Sequence, residues 1–414
     1  MRRSDPIVRR GYAGRLSMVS VAVLVSACAI AGAPRPVTPE LGSLDLGGYS
    51  GRPLPAPRDA GEAYGRLRES VRMADAVVAP RTFDPALSWT SAIPVPTPAD
   101  AVGILADATR ETLAAHGMLA GFSIGGTDDA SGIPRIGTSR SVRITVLRMR
   151  DNMTAIDAAE QIDSRDFAVN RDNVVVPFTE YFATHGHWRT YEPTLAATLA
   201  HGPYVVTLYV TNPTTDRAAL QALAEKAFDA ELPRLDAFVP TPAEAVSALP
   251  LDPDGMLSRL LPAAPGQWPY PELFQDEHGL IAGWGGYRRA TGIAYGPVAA
   301  DLWINRPGDA VRIPVEGIAV TDHARLLRFP DAVAARHALT RLSEPTANGA
   351  TVSAPAGVPD AVCLRDPDPD PRVPDRQYSC LVLDGRYLAL VSGATEEKVH
   401  RMAVAQYALL VSGR

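Results

Sequence analysis

Several groups of residues have types and spacing that could carry chemistry. Gly121-Phe122-Ser123-Ile124-Gly125 matches Gly-x-Ser-x-Gly, the pattern that lifts a serine nucleophile onto a strained strand-to-helix turn. Here a helix is expected before it and the turn Gly126-Thr127-Asp128-Asp129 after it, so Ser123 reads as an ordinary polar residue of a short strand. His185-Gly186-His187 places two imidazoles on one face of an extended segment, half of a zinc site, with Glu180, Glu192 and His201 available as further ligands. Surface or hydrogen-bonded histidines are the preferred reading. Asp366, Asp368 and Asp370 alternate as calcium-loop ligands do, but Pro371 stands where an EF-hand needs Gly and Gln377 where it needs Glu. A stiff, solvated loop accounts for them. Trp284, Tyr287, Arg288 and Arg289 could stack on a sugar or bury a partner's chain, in a stretch that also holds Trp268, Tyr270, Phe274, Tyr295 and Trp303. A small satellite core under a long loop competes with that binding reading. Neither a catalytic constellation nor a resident metal or cofactor is expected from these groups, though a hydrolase built on Ser123 or on the His185/His187 region stays as an alternative.

Cysteine is the other reactive type. Leu24-Val25-Ser26-Ala27-Cys28 closes an apolar run that starts at Leu16 and follows Arg2, Arg3, Arg9, Arg10 and Arg15, the three-part pattern of an export signal. The run is much shorter than the ~20 residues that span a bilayer permanently. The small residues before Cys28 give a peptidase access, and the thiol can take a diacylglyceryl thioether, so residues 1–27 read as a lipoprotein signal peptide and Cys28 as the lipid attachment site. Val8-Arg9-Arg10-Gly11-Tyr12 also fits a twin-arginine route. With Cys28 acylated, Cys363 and Cys380 remain as a pair in an oxidising compartment, on two β-like runs flanking the loop Asp366–Asp375. They are expected to form a disulfide. Free thiols or half a metal site are the alternatives.

Composition bounds the partners. The chain has 414 residues, 46% of them hydrophobic and 21% charged, enough for two domains with real cores. Loss of residues 1–27 removes five Arg and one Asp and takes the formal charge from −6 to −10. So acidic a chain is a poor nucleic-acid binder, and a lipid rather than charge must hold it at a membrane.

Elements must position these residues, and they repeat. Residues 28–58 are rich in Pro and Gly and read as a flexible tether after the lipidated Cys. A helix is expected over Ala60–Val78 with Asp59 as its cap, and another over Pro98–His116. Val95-Pro96-Thr97-Pro98-Ala99-Asp100 returns as Val239-Pro240-Thr241-Pro242-Ala243-Glu244, both read as helix starts. Leu147-Arg148-Met149-Arg150-Asp151 returns as Leu327-Arg328-Phe329-Pro330-Asp331, displaced by 180, and His201-Gly202-Pro203-Tyr204 as Asp384-Gly385-Arg386-Tyr387, displaced by 183. Two matches at nearly one offset point to a duplication. Each copy then holds a strand (Ser141–Arg150; Ile318–Phe329), a helix (Met153–Ser164; Ala332–Leu342), a hairpin turning at His201-Gly202 or Asp384-Gly385, and a closing helix (Asp216–Asp236; Glu396–Leu410). The expected class is α+β: two tandem units, 59–237 and 238–414, each an antiparallel sheet with helices packed on one face in ferredoxin-like order. Residues 252–305 are expected to form an irregular, aromatic-rich insert.

The lipobox, Leu44-Asp45-Leu46-Gly47-Gly48-Tyr49, Arg72-Met73-Ala74-Asp75 with Val77-Val78, and the two α+β halves together resemble a family of actinobacterial cell-envelope lipoproteins of unknown function. The resemblance implies an extracytoplasmic protein anchored by lipid and carries over no catalytic residue. The leading expectation is a non-enzymatic protein that binds an envelope ligand or protein in the groove between its halves. A cell-wall hydrolase and a carrier of an envelope lipid are the alternatives.

Overall fold

Val142, Ile144 and Val146 alternate along one strand and Val206, Leu208 and Val210 along its neighbour, and their burial seeds the first half of the fold. The computed structural model describes residues 41–58, 61–274, 289–305, 308–345, 348–368 and 376–413. The first half runs α1 (Glu62–Met73), β1 (Trp89–Pro94), α2 (Thr109–Ala115), β2 (Ala120–Thr127), β3 (Ser141–Arg148), α3 (Asn152–Ala168), β4 (Val174–Val175), β5 (His185–Arg189), β6 (Glu192–His201), β7 (Tyr204–Thr211) and α4 (Arg217–Ala237). Its strands form one antiparallel sheet in the order β1-β2-β3-β7-β6-β5-β4. Asp151 and Asp216 cap α3 and α4, accepting the backbone N–H groups of Thr154 and Ala219, worth about 1 kcal/mol each.

The second half adds the short hairpin β8 (Glu272–Phe274) and β9 (Arg289–Thr291), then repeats the first. It runs β10 (Ile293–Tyr295), α5 (Pro297–Ile304), β11 (Gly317–Val320), β12 (Ala324–Arg328), α6 (Ala332–Leu342), β13 (Ala350–Val352), β14 (Ala361–Arg365), β15 (Tyr378–Asp384), β16 (Tyr387–Gly393) and α7 (Glu396–Ser412). Its sheet order, β10-β11-β12-β16-β15-β14-β13, is that of the first half strand for strand. Arg148 lies opposite Tyr204 in one sheet and Arg328 opposite Tyr387 in the other. Gly202 and Gly385 take the left-handed conformation at the two hairpin turns, φ 54 and 56°. Asp331 and Thr395 cap α6 and α7 as Asp151 and Asp216 do theirs.

The tandem α+β halves are therefore present, with differences in detail. Helices cover both faces of each sheet. α4 packs Phe228, Leu220 and Ala224 on Phe122, Ile144 and Leu208, while α3 packs Ala155, Ala158 and Ile162 on Leu147 and Val205 of the opposite face. The same split sets α7 on Val382, Ala389 and Val391, and α6 on Leu327, Leu383 and Leu388. Every residue of β3 and all but one of β7 are buried, whichever face they point to, which one covered face would not require. The sheet order also departs from the ferredoxin-like one. Part of 252–305 is regular: β10 and α5 stand where β1 and α2 stand in the first half. Among the described residues of this stretch, β8, β9 and the turns before them have no counterpart there, and they were unreadable because three-residue strands carry no period.

Three local expectations change as well. The helix expected over Pro98–His116 is confined to Thr109–Ala115, because Thr97 closes on Asp100 as a hydroxyl–carboxylate turn and Gly103 sits at φ 85°. The segments from Val95 and Val239 are not equivalents: the first follows β1 and the second enters a 3₁₀ turn, Ala243–Ala248, after α4. Finally, the chain expected to be a tether up to residue 58 is docked from Leu41 onward. Leu41, Leu44, Leu46 and Tyr49 pack on the core beneath α7, and Arg401 of α7 donates to Asp45 (3.1 Å). At the start of α1 the cap position is Gly61; Asp59 lies outside the described residues.

The halves share apolar surface. Tyr295, Val298, Ala299 and Leu302 of the second half pack into the first half's core, and Phe122 meets Tyr295 edge to face at 6.4 Å. On α1, Leu67 and Val71 pack against Ala290 and Ile293. Pro39–Arg414 is one compact unit on this account.

Candidate functional site

An open cleft of about 460 Å³ runs along this junction. The first half lines it with Ala79, Arg81 and Thr82 and with Arg234 from the last turns of α4; the second half contributes Pro297, Val298 and Asp301 from α5 and the segment Arg312–Val315. Arg81 and Arg312 both pair with the single carboxylate of Asp301. Arg81 also donates to the carbonyl of Asn305 (3.1 Å), and Arg234 to that of Asp75 (2.6 Å). Three guanidiniums and one carboxylate in its lining leave the cleft cationic in a chain of net charge −6. Burial draws the Arg81 pKa below its ordinary value while Asp301 opposes the shift, and the group stays charged at neutral pH.

Residues behind the cleft hold its walls. Asp75 accepts the N–H of Val298 (3.1 Å) and so caps α5 across the junction, where a carboxylate also meets the positive end of the helix. A Cβ at Gly296 would lie 1.8 Å from Asp75 Oδ2, so only glycine admits this approach. Burial raises the Asp75 pKa. Glu231 is wholly buried, accepts the N–H of Val78 (2.7 Å), and is pushed up by that burial to about 8. Arg72-Met73-Ala74-Asp75 and Val77-Val78, the short motifs of the family resemblance, thus lie at the junction.

One turn earlier on α1 a second charged network closes. Buried Glu69 accepts from Arg148 (2.5 Å) and Arg72 (2.6 Å), and from the N–H (3.0 Å) and hydroxyl (2.7 Å) of Thr241. Arg148 reaches on to the Thr241 carbonyl, and Arg72 to that of Val239 (3.1 Å). Every partner of the carboxylate is accounted for, which is what a buried charge requires. Arg72, Arg148 and Thr241 lie in motifs the sequence marked, but Glu69 did not stand out, and nothing in the sequence joined it to Thr241, 172 residues away.

The residues singled out earlier fare differently. Ser123 is buried in the middle of β2, and its hydroxyl is 2.8 Å from that of Thr145, so it is no exposed nucleophile. His185 and His187 both lie on β5. His185 is exposed, whereas His187 meets Asp163 (3.2 Å) and Asp166 (3.5 Å) of α3 rather than Glu180, Glu192 or His201. His201 pairs with Asp236 instead (2.7 Å). Cys363 and Cys380 are register partners on β14 and β15 and form a buried disulfide with Cα atoms 4.1 Å apart. α7 brings His400 to within 4.8 Å of these sulfurs, a proximity the sequence did not show, but the sulfurs are bonded to each other and His400 Nε2 meets the Ser353 carbonyl at 2.8 Å. Asp366 and Asp368 edge the loop after β14, with the Asn348 amide donating to Asp368 (3.2 Å). Cys28, Trp284, Tyr287, Arg288 and Asp370 lie outside the described residues, and of Arg289 only its place at the start of β9 is described.

Comparison with known proteins gives two family matches. The model described as "Domain of unknown function (DUF7373) N-terminal" covers residues 56–251, and the one described as "Domain of unknown function (DUF7373) C-terminal" covers residues 256–413. No curated protein matches the chain. Among solved structures, the extracellular domain of PknH from Mycobacterium tuberculosis is 10% identical over 44% of this chain and 98% of that one, at a TM-score of 0.28.

Proposed function

Since this chain belongs to the DUF7373 family, whose two domain descriptions name no activity, we propose from its own geometry that it is an extracytoplasmic, lipid-anchored protein that binds an anionic ligand in the cleft between its halves. The carrying observation is the charge of that cleft: Arg81, Arg234 and Arg312 line it with a single carboxylate, the partly exposed Asp301. Arg81 and Arg312 share Asp301, so a phosphate or carboxylate entering the cleft finds guanidinium donors already fixed in direction. A carrier of an envelope lipid would need a continuous apolar cavity, which the charged lining does not supply. A hydrolase built on Ser123 lacks an accessible nucleophile.

The location rests on different observations. Cys28 ends a complete lipobox, and the Cys363–Cys380 disulfide suits an oxidising compartment. Among the described residues no helix is long and apolar enough to cross a membrane. Actinobacterial origin stays with the resemblance of the short motifs.

Calorimetric titration with citrate and inositol hexakisphosphate tests the cleft. At least one should bind, more weakly as salt rises, and Arg312→Ala should weaken it about tenfold, the loss of ~1.4 kcal/mol expected for a charge-assisted contact. Binding indifferent to Arg312, or none, would remove the reading. Cys28→Ala should move the protein out of the membrane fraction; full retention and an unacylated N-terminus in the parent would refute the anchor.

A further inference from the structure

The first half holds a second cavity, on the sheet face beneath α3 and away from the cleft. Hydroxyl residues crowd this face, and most of them satisfy one another: Ser123 with Thr145 and Ser141 with Thr211, each at 2.8 Å. Thr198 and Thr207 do not. They are directly opposed on β6 and β7, each is only 6% exposed, and among the described residues neither hydroxyl has a hydrogen-bond partner. Both open into a partly enclosed cavity of about 180 Å³, walled by Tyr209 and Asp166 on its polar side and by Ile104, Leu105 and Ile162 on its apolar side. The equivalent pair in the second half is Leu381 opposite Leu390, packed among apolar neighbours. Both hydroxyls reach the cavity with no partner among the described residues and so offer donors and acceptors to a ligand, where the duplicate fills the same place with leucine.

We propose that this cavity binds a neutral polyhydroxy ligand of monosaccharide size. Threonine and tyrosine hydroxyls donate and accept, as the hydroxyls of such a ligand do, and the Asp166 carboxylate can accept from two neighbouring ones. Ile104, Leu105 and Ile162 offer an aliphatic wall to the C–H face of a ring. Charge gives no net preference for an ion of either sign: Asp166 stands on the wall, and buried Arg143 is the register partner of Tyr209 on the same face. The volume is below the roughly 300 Å³ of drug-sized pockets, yet large against the ~30 Å³ of one water molecule.

The test uses the full-length, detergent-solubilised protein with glucose, mannose, galactose and myo-inositol as separate probes, followed by calorimetry and ligand-observed NMR. At least one should bind. Thr198→Val/Thr207→Val should weaken that binding tenfold or more while the melting temperature of the ligand-free protein stays close to the parent's, because neither hydroxyl holds another group among the described residues. Asp166→Asn, on a partly exposed residue, provides a second variant and should weaken the same probe several-fold. Arg312→Ala, in the cleft, should leave it unchanged, which separates this site from the anion site. The proposal is overturned if none of the four probes binds, if the double variant binds as the parent does, or if glucuronate binds more tightly than glucose.

Discussion

The two halves share strand order, hairpin turns and helix caps, yet they are stabilised by different means at the same positions. Gly186 opposite Ala197 in the first sheet is the counterpart of Cys363 opposite Cys380 in the second. The first half lays the ring of Phe178 over Gly186, where a Cβ would come within 2.6 Å of it; the second has a disulfide. Arg148 ends in a buried network centred on Glu69, whereas Arg328 meets the more exposed Glu316 (3.3 Å) and Asp254 (3.6 Å). Thr198 and Thr207 face a cavity, and Leu381 and Leu390 close one. α4 buries Glu231 at the same distance past its cap as α7 buries Leu410. A duplicated frame tolerates these exchanges because backbone pairing sets it, while the polar exchanges collect in the half that carries the arginine-rich junction and the open pocket.

Substitutions can break this comparison, and the charged pair should do so most strongly. Glu69→Ala strands buried Arg148 and should cost about 3–5 kcal/mol in denaturant unfolding, whereas Glu316→Ala beside Arg328 should cost under about 1 kcal/mol. Equal costs would show that the two arginines are equivalent after all. Cys363→Ala/Cys380→Ala should cost about 3 kcal/mol, the usual value for a loop of this size. Transplanting the pair as Gly186→Cys/Ala197→Cys should destabilise the first half, since Phe178 occupies the space; a stabilised, oxidised variant would contradict that packing.

The pH dependence separates α4 from α7. Glu231 has its folded pKa raised to about 8 from an ordinary 4.5, so between those values the folded chain holds a proton that the unfolded chain has lost. Stability should therefore fall as pH rises through this window, at most about 1.4 kcal/mol per pH unit, and level off above it. Glu231→Gln should flatten the slope, as read from melts at pH 5, 6.5 and 8. An unchanged slope would remove Glu231 as its source. The smallest effect sharpens the pocket: Thr198→Val/Thr207→Val should change the stability of ligand-free protein by under about 1 kcal/mol, since neither hydroxyl bonds another group among the described residues, and a larger loss would show that one does.

Much of this frame was legible because its signals are local. The repeat of Leu147–Asp151 as Leu327–Asp331 marked the strand-to-helix junctions before α3 and α6, where the aspartates turn out to cap the helices within three residues. The turns at Gly202 and Gly385 set the hairpins, and Asp384-Gly385 placed Cys380 on a paired strand. β10 and α5 escaped notice for the same reason in reverse: three residues of strand and eight of helix give too few turns of either period to stand out. Ser123 shows how a short pattern misleads, because Gly-x-Ser-x-Gly says nothing of whether the serine is reachable.

The order of residues alone determined the duplication, the position of most helices and hairpins, and the partnership of Cys363 with Cys380. Each depends on contacts between near neighbours or on a repeat that can be aligned by eye. Folding decided the rest: which helix covers which face, that Glu69 would meet Thr241 and Arg148, and that Arg81 and Arg312 would come to share Asp301. Those outcomes turn on burial, and burial belongs to the packed chain. A carboxylate such as Glu231 looks like any other charged residue of an amphipathic helix until α4 is laid on its sheet and water is excluded from around it.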